Sequence, residues 1–132
     1  MRIDHVGVAV SSIEESARFY KEALGLVVTH VEDVPSQKVK VAFLGAPGDG
    51  GAQIELLEPT SADGAVGKFL ASRGPGMHHV AFHSPDIAGD MKRLKDGGRP
   101  PLEEKPRPGA RGHHVCFLHP KHAGGVLVEL VG

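Results

Sequence analysis

An internal repeat constrains this sequence more than any other feature. When the chain is shifted by 74 residues against itself, eleven of the 58 overlapping positions are identical. Typical residue frequencies predict about four identities by chance over such a length. Three matches carry the repeat: IDHVGV with MHHVAF, VAFLGAP with VCFLHPK, and GGAQIELLE with GGVLVELVG. The sequence therefore predicts one domain of two duplicated modules, with module one at 1–58, a connection at 59–74 and module two at 75–132.

Hydrophobic periodicity predicts the same order of elements in both modules. A capping box of Ser12 and Glu15 begins the first helix, which ends at Gly25, and Asp86 begins the second, which ends at Gly97. A short helix is expected in the connection, at 61–74. The predicted strands lie at 3–10, 26–32, 38–45, 51–58, 77–84, 101–105, 113–119 and 125–131. The fold class is therefore predicted as α+β, with two tandem βαβββ modules, curved mixed sheets and a turn at GAPGDGG.

Composition excludes several classes of function. A net charge of −1, one tyrosine and no tryptophan give neither the basic stripe nor the aromatic platform of a nucleic-acid-binding protein. No apolar run approaches the roughly 20 residues that a membrane span requires. Cys116 is the only cysteine, so an intrachain disulfide is impossible. With no signal peptide ahead of the first strand, a cytoplasmic location is expected.

Two histidines and two glutamates recur at the 74-residue offset and are the candidate metal ligands. Alternation along a strand turns His5 away from the valine face that should pack under the helix. The same parity selects His79 and excludes its neighbour His78. Glu55 and Glu129 each stand between two aliphatic residues, so each carboxylate also lies opposite an apolar face.

Two imidazoles and two carboxylates are a donor set that suits Mn, Fe, Co, Ni or Zn. Buried glutamates are rare unless they are paired or bind a cation, because desolvation of the charge costs several kcal/mol. The alternative is that each residue belongs to an ordinary solvated strand face. Repetition of all four at one offset favours the metal site.

Several stretches of the sequence resemble the vicinal oxygen chelate superfamily. IDHVGVAV, SARFYKEALGL, IELLEPTS, KFLASRGPGMHHVAF, PRPGARG and the pair HPK and GVLVEL are similar to the methylmalonyl-CoA epimerase family within it. The resemblance implies that the paired modules enclose a divalent metal ion, either Co, Mn, Ni or Zn. It also implies an acyl-CoA substrate and a homodimer. The implied metal ligands are His5, Glu55, His79 and Glu129.

The resemblance further implies that the α-proton of methylmalonyl-CoA is removed and returned, which interconverts the (2R) and (2S) forms. Glu129 is the expected base, because a carboxylate at the edge of the metal could lie near the α-carbon. Some relatives carry another glutamate on the strand that here reads KVKVAFL. A second proton carrier therefore stays open among Gln37, Lys38, Lys40 and bound water, and Gln37 and Lys38 are expected near the substrate.

The segment EEKPRPGARG is the other candidate substrate site. Backbone amides of a glycine-containing loop together with guanidinium groups can hold a carboxylate or a phosphate. The alternative is an ordinary connection with solvated charges, and the resemblance of PRPGARG favours substrate contact. The expected substrate-binding residues here are Arg107, Gly109, Ala110 and Arg111.

Three other functions remain open at this point. A glyoxalase I-type lyase uses the same four ligands, but HHVAF and HPK disfavour it. An extradiol dioxygenase needs only two histidines and one glutamate. A non-enzymatic small-molecule binding protein shares the fold and often lacks the metal.

Overall fold

The computed structural model describes residues 1–48 and 50–132. It divides them into two compact units. The first unit is His5–His78, and the second unit consists of Met1–Asp4 and His79–Gly132. The predicted turn at GAPGDGG includes Asp49, which lies outside the described residues. None of the helices in the described ranges is long and apolar enough to cross a membrane.

The order βαβββ occurs twice along the chain, which confirms the predicted fold class. The helices are α1 (Ile13–Leu24), α2 (Ala65–Arg73) and α3 (Ile87–Asp96). The strands are β1 (Ile3–Ala9), β2 (Val27–Val34), β3 (Val39–Gly45), β4 (Gln53–Pro59), β5 (Gly76–His83), β6 (Arg107–Pro108), β7 (His114–Leu118) and β8 (Val128–Val131). Short 3₁₀ turns lie at Pro35–Gln37, Ala110–Gly112 and Pro120–His122.

Strand pairing repeats with the same period as the sequence. The first unit has the order β2-β3-β4-β1 and the second unit has the order β6-β7-β8-β5. The last pair in each order, β4/β1 in the first unit and β8/β5 in the second, is parallel. The other pairs are antiparallel. Phe43 lies opposite Glu55, and Phe117 lies opposite Glu129. The duplication therefore extends to the register of individual residues.

A hydrophobic core lies between the helix and the sheet in each unit. In the first, Val8 of β1 and Val10, which directly follows β1, pack with Ala17 of α1 and Leu56 of β4. In the second, Met91 of α3, Cys116 and Leu130 form the corresponding cluster. Complete burial of one such leucine contributes about 1.5–3 kcal/mol. Val8 and Val10 thus lie on the helix face, as predicted, and leave the opposite face to His5.

Helix α1 begins and ends as its sequence predicts. The Ser12 hydroxyl accepts a hydrogen bond from the Glu15 amide at 3.2 Å. Gly25 follows the helix in the left-handed conformation, with φ of 70°, and its amide donates to the carbonyl of Lys21. Asp86 likewise begins α3, where its carboxylate accepts from the Gly89 amide at 3.1 Å. Because glycine adopts a positive φ without strain, Gly25 ends α1 cleanly.

The Ser12→Ala variant should lower the free energy of unfolding by about 1 kcal/mol, since it removes the acceptor of the Glu15 amide. Urea unfolding followed by circular dichroism measures this change. Ser11→Ala, at an exposed position one residue earlier, is the matched control and should unfold like the unaltered chain. Equal destabilisation by both variants would contradict the assigned cap.

The predicted strand at 101–105 is wrong. In this part of the described chain, the residues that pair with β7 as a strand are Arg107–Pro108 of β6, opposite Val115 and His114. Proline lacks an amide hydrogen, and the segment begins with Pro100 and Pro101, so regular pairing cannot start there. The segment contacts β7 through one backbone and one side-chain hydrogen bond. The Leu102 amide donates to the Phe117 carbonyl at 2.8 Å, and the Phe117 amide donates to the Glu103 carboxylate at 2.8 Å.

The helix predicted within 61–74 is present as α2, which contacts β4 in the first unit. Val66 is buried and Phe69 is half-buried, so one side of this helix packs inward. Gly67 permits close packing, because a Cβ at this position would lie 2.5 Å from the Ser61 carbonyl oxygen. The predicted connection therefore belongs structurally to the first unit.

Candidate metal centre and catalytic residues

The first unit carries one buried histidine–glutamate pair. The exposed fractions of His5 and Glu55 are 2% and 5%. Nε2 of His5 lies 3.3 Å from Oε1 of Glu55. The ring of Phe43 packs edge-on against the imidazole, with centroids 5.3 Å apart and an interplanar angle of 88°. This aromatic wall covers one side of the pair.

The second unit carries the same arrangement 74 residues later. The exposed fractions of His79 and Glu129 are 3% and 6%. Nε2 of His79 lies 3.7 Å from Oε2 of Glu129. Phe117 packs edge-on against the His79 ring, with centroids 5.9 Å apart at 86°. Each unit therefore supplies one imidazole, one carboxylate and one aromatic wall.

Register explains why these side chains meet. Glu55 on β4 lies opposite Phe43 on β3 and beside Gly7 on β1, two residues beyond His5. Glu129 on β8 has Phe117 on β7 as its antiparallel neighbour and Ala81 on β5 as its parallel one. Small residues on the strands beside the glutamates leave room for the carboxylates.

The donor chemistry of each pair fits a divalent cation. An imidazole nitrogen and a carboxylate oxygen at 3.3–3.7 Å are compatible only if a proton or a cation lies between or beside them. Burial makes an ionised carboxylate costly by several kcal/mol unless a positive charge compensates it. Both donor types are ordinary ligands of first-row transition metals.

His78 occupies a different environment from its neighbour. It is half-buried in the first unit, where its ring packs against Phe69 of α2 with centroids 5.1 Å apart at 75°. This packing confirms the prediction that His78 and His79 face different surroundings.

The structure places Gln37 and Lys38 at the turn between β2 and β3. Gln37 is half-buried, whereas Lys38 is exposed and adopts a positive φ of 55°. The Lys38 ammonium donates to the Asp63 carboxylate at 2.8 Å. This hydrogen bond and, to a smaller extent, a second one from the Ser61 hydroxyl lower the pKa of Asp63 to about 2. Lys40 is also exposed, on β3.

Arg107 and Arg111 have different partners in the second unit. Nε of Arg107 lies 3.4 Å from the Glu103 carboxylate, and its guanidinium carbon lies 5.3 Å from the centroid of the Phe117 ring. The Arg111 guanidinium donates to the Asp4 carboxylate at 2.6 Å in a largely buried ion pair. Arg111 therefore ties its loop to Asp4 within the second unit.

Gly109 of this loop has a packing reason to be glycine. A Cβ on Gly109 would lie 2.7 Å from a methyl carbon of Val115, so any larger residue would displace β7. The Gly109 amide donates to the His113 carbonyl at 2.9 Å. Ala110 begins the 3₁₀ turn that follows. The loop is thus held against the sheet at both ends.

The sequence interpretation assigned no role to Phe43, Phe117, Glu103 or Asp4. The two phenylalanines had a detectable signal, because they are identical at the 74-residue offset. The ion pair of Asp4 with Arg111 joins residues 107 positions apart, and no short-range pattern indicates it. Cys116 is no candidate for a reactive group, since burial raises its pKa to about 12 and keeps the thiol neutral.

Comparison with known proteins gives matches over most of this chain. Residues 4–117 match the model of the Glyoxalase/Bleomycin resistance protein/Dioxygenase superfamily. The chain is 38% identical over 130 residues to the mitochondrial methylmalonyl-CoA epimerase of Mus musculus, covering 98% of this chain and 71% of that protein. It is 37% identical over 131 residues to the ethylmalonyl-CoA/methylmalonyl-CoA epimerase of Cereibacter sphaeroides, covering 98% and 96%.

Solved structures show the same similarity. A variant of Streptomyces coelicolor methylmalonyl-CoA epimerase, in complex with 2-nitronate-propionyl-CoA, superposes with a TM-score of 0.92 and 42% identity. The match covers 99% of this chain and 96% of that one. The similarity therefore includes both modules and the loops between their strands.

Proposed function

This chain belongs to the methylmalonyl-CoA epimerase family of the glyoxalase/bleomycin resistance protein/dioxygenase superfamily, and we propose that it interconverts (2R)- and (2S)-methylmalonyl-CoA. Membership makes it an isomerase of the racemase and epimerase class. The observation that carries the proposal is the pair of buried imidazole–carboxylate arrangements, one in each unit, in a chain that matches epimerases over 98% of its length.

The proposed metal ligands are His5, Glu55, His79 and Glu129, which together would hold one divalent ion, either Co, Mn, Ni or Zn. Neutral imidazoles and two carboxylates balance a charge of +2, which offsets the desolvation cost of burying the glutamates. An ion held by this set would also be able to bind oxygens of the substrate. When bound, the ion supplies Lewis-acid stabilisation of the negative charge that develops on the substrate.

Glu129 is the proposed base. The proton to be removed lies on the carbon between a thioester and a carboxylate, so a positioned carboxylate can accept it. The deep burial of Glu129 and the neighbouring Phe117 ring restrict access of water to the carboxylate. A carboxylate that is poorly hydrated needs little solvent rearrangement before it accepts a proton.

Epimerisation also requires that a proton reach the opposite face of the substrate. Strand β3 has the sequence VKVAFLG and contains no carboxylate. The candidates for the second proton carrier are Gln37, Lys38, Lys40 and bound water. Gln37 is the half-buried member of the three side chains, whereas the two lysines are exposed.

The loop from Arg107 to Arg111 is the proposed contact for an anionic part of the acyl-CoA substrate. Arg111 fixes the loop through Asp4, and Gly109 lets the loop approach β7 closely. Arg107 is the more exposed of the two arginines, with 44% of its side chain accessible. Its guanidinium can donate to a carboxylate or phosphate while it remains over the Phe117 ring. Ala110 lies between the glycine and Arg111.

Arg107→Ala should raise the KM for methylmalonyl-CoA about tenfold, because a hydrogen bond to a charged group contributes about 1.5–3 kcal/mol. The kcat should change less, since the arginine is distant from the proton in this proposal. Steady-state kinetics measures both constants. Arg99→Ala removes another exposed arginine of the same unit and is the control. An unaltered KM in Arg107→Ala would contradict substrate contact by this loop.

Proton NMR of methylmalonyl-CoA in D₂O tests the proposed function directly. The Co²⁺- or Mn²⁺-loaded protein should replace the α-proton by deuterium rapidly, with spectra recorded after quenching and removal of the metal. A chain that binds metal but exchanges no α-proton would contradict the epimerase. Assays for glyoxalase I-type and dioxygenase activity on the same preparation would then identify the reaction.

The homodimer and the cytoplasmic location stay predictions. The support for the dimer is the resemblance to the superfamily, and the support for the location is the single buried cysteine, Cys116.

A further inference from the structure

Glu103 makes two contacts with one carboxylate. Oε2 accepts a hydrogen bond from the Phe117 amide at 2.8 Å, and Oε1 lies 3.4 Å from Nε of Arg107. The Glu103 side chain is 18% exposed, so its hydrogen bond to the Phe117 amide is largely shielded from water, whereas the Arg107 side chain of the ion pair is 44% exposed. The carboxylate occupies the place of a strand carbonyl at the position where the predicted strand 101–105 fails to form.

Phe117 links that carboxylate to the proposed metal ligands. Its backbone lies opposite Glu129, and its ring packs against His79. Arg107 covers the same ring with its guanidinium. Any shift of β7 at Phe117 would displace the aromatic wall of His79 and the strand neighbour of Glu129 together.

The first unit lacks a charged residue at the equivalent position and so provides an internal comparison. Thr29 corresponds to Glu103 at the 74-residue offset, and its hydroxyl donates to the Phe43 carbonyl at 3.3 Å. A register shift between Val28 and His30 accompanies it. Both units therefore interrupt regular pairing beside the phenylalanine, but a carboxylate replaces threonine only in the unit that holds the proposed base.

We propose that Glu103 is a positioning residue that couples the substrate contact at Arg107 to the His79–Glu129 pair. The hydrogen bond from the Phe117 amide holds Phe117 beside His79 and Glu129. The ion pair fixes the orientation of the Arg107 guanidinium. The coupling rests on the proposed function, because it assigns Arg107 to the substrate. The two contacts are separable by substitution, since an amide side chain can keep the first and lose the second.

Two variants of Glu103 separate these contacts. In Glu103→Ala, the Co²⁺ dissociation constant of the substrate-free protein should rise about tenfold, which is the lower end of the effect of removing a direct hydrogen-bond partner of a ligand, because Glu103 acts through Phe117. The amide oxygen in Glu103→Gln still accepts from Phe117, so Co²⁺ affinity should return to within about twofold of the unaltered chain. The KM of Glu103→Gln should stay raised by up to about fivefold, since the ion pair with Arg107 is lost.

The control is Glu104→Gln, which removes the charge of the neighbouring exposed glutamate and should change neither constant. Hydrogen exchange of the Phe117 amide gives a readout that needs neither metal nor substrate. It should accelerate in Glu103→Ala and remain slow in Glu103→Gln. Thermal unfolding of each variant confirms that the chain is folded under the conditions used.

Unchanged Co²⁺ affinity and unchanged Phe117 exchange in Glu103→Ala would overturn the proposal. It would equally be overturned if Glu103→Gln lost Co²⁺ affinity as fully as Glu103→Ala. Failure of the epimerase function is distinguishable, because absence of α-proton exchange by the unaltered chain leaves the Co²⁺ and amide measurements valid. In that case the effect of Glu103 on metal binding would still be supported, and the assignment of Arg107 to the substrate would be wrong.

Discussion

Replacement of Glu129 by glutamine is expected to abolish exchange of the substrate α-proton while the chain stays folded. Glutamine has nearly the same shape as glutamate, so it fits the buried position beside His79 and Phe117. An amide has no basicity near neutral pH, and loss of a general base typically costs 10²–10⁴-fold in rate. The kcat should therefore fall by about 10³-fold or more.

Loss of the base must be separated from loss of a metal ligand. Metal content and Co²⁺ absorption of Glu129→Gln should be measured beside the NMR exchange rate in D₂O. An amide oxygen can still bind a divalent ion weakly, so at saturating Co²⁺ the variant should hold metal and exchange no proton. Glu104→Gln is the matched substitution at an exposed site. A metal-loaded Glu129→Gln that exchanges at the rate of the unaltered chain would assign the base elsewhere.

His79→Ala is expected to weaken metal binding by at least about 100-fold, since even outer-shell substitutions cost 10–100-fold. His79 is buried beside Glu129, whereas its neighbour His78 packs on Phe69. His78→Ala should therefore retain metal. The two variants have identical composition, and each removes one imidazole from adjacent positions.

Inductively coupled plasma mass spectrometry after dialysis against a defined free Co²⁺ concentration measures the bound ion in both variants. His5→Ala should behave like His79→Ala, because it occupies the equivalent position in the first unit. Loss of metal in His78→Ala together with retention in His79→Ala would reverse the assignment and with it the strand parity on which it depends.

The sequence was sufficient to predict the candidate ligands because the relevant physics is local and repeated. Alternation along β1 and β4 places His5 and Glu55 opposite the helix face, and the 74-residue offset transfers the same parity to His79 and Glu129. The burial of all four is consistent with that prediction. Helix caps at Ser12 and Asp86 are equally local, and both formed as predicted.

The strand prediction failed where a side chain replaces backbone, and contacts between residues distant in sequence were not predicted. The segment at 101–105 has strand-like spacing, but Pro100 and Pro101 cannot donate, and the Glu103 carboxylate satisfies the Phe117 amide instead. The ion pair between Arg111 and Asp4 could not be predicted from the sequence, because no strand or turn relates the two positions. Such contacts depend on the assembled fold.

The register repeat also bears on how this catalyst could diversify. In a symmetric dimer of single modules, every substitution beside one histidine–glutamate pair would appear beside the other. Fusion of the modules into one chain removes that restriction, so each half can change independently. Thr29 and Glu103 occupy equivalent positions, and they differ in charge, in hydrogen-bonding role and in reach. Duplication thus preserved paired donors while it allowed the surroundings of one carboxylate to be tuned without altering the other.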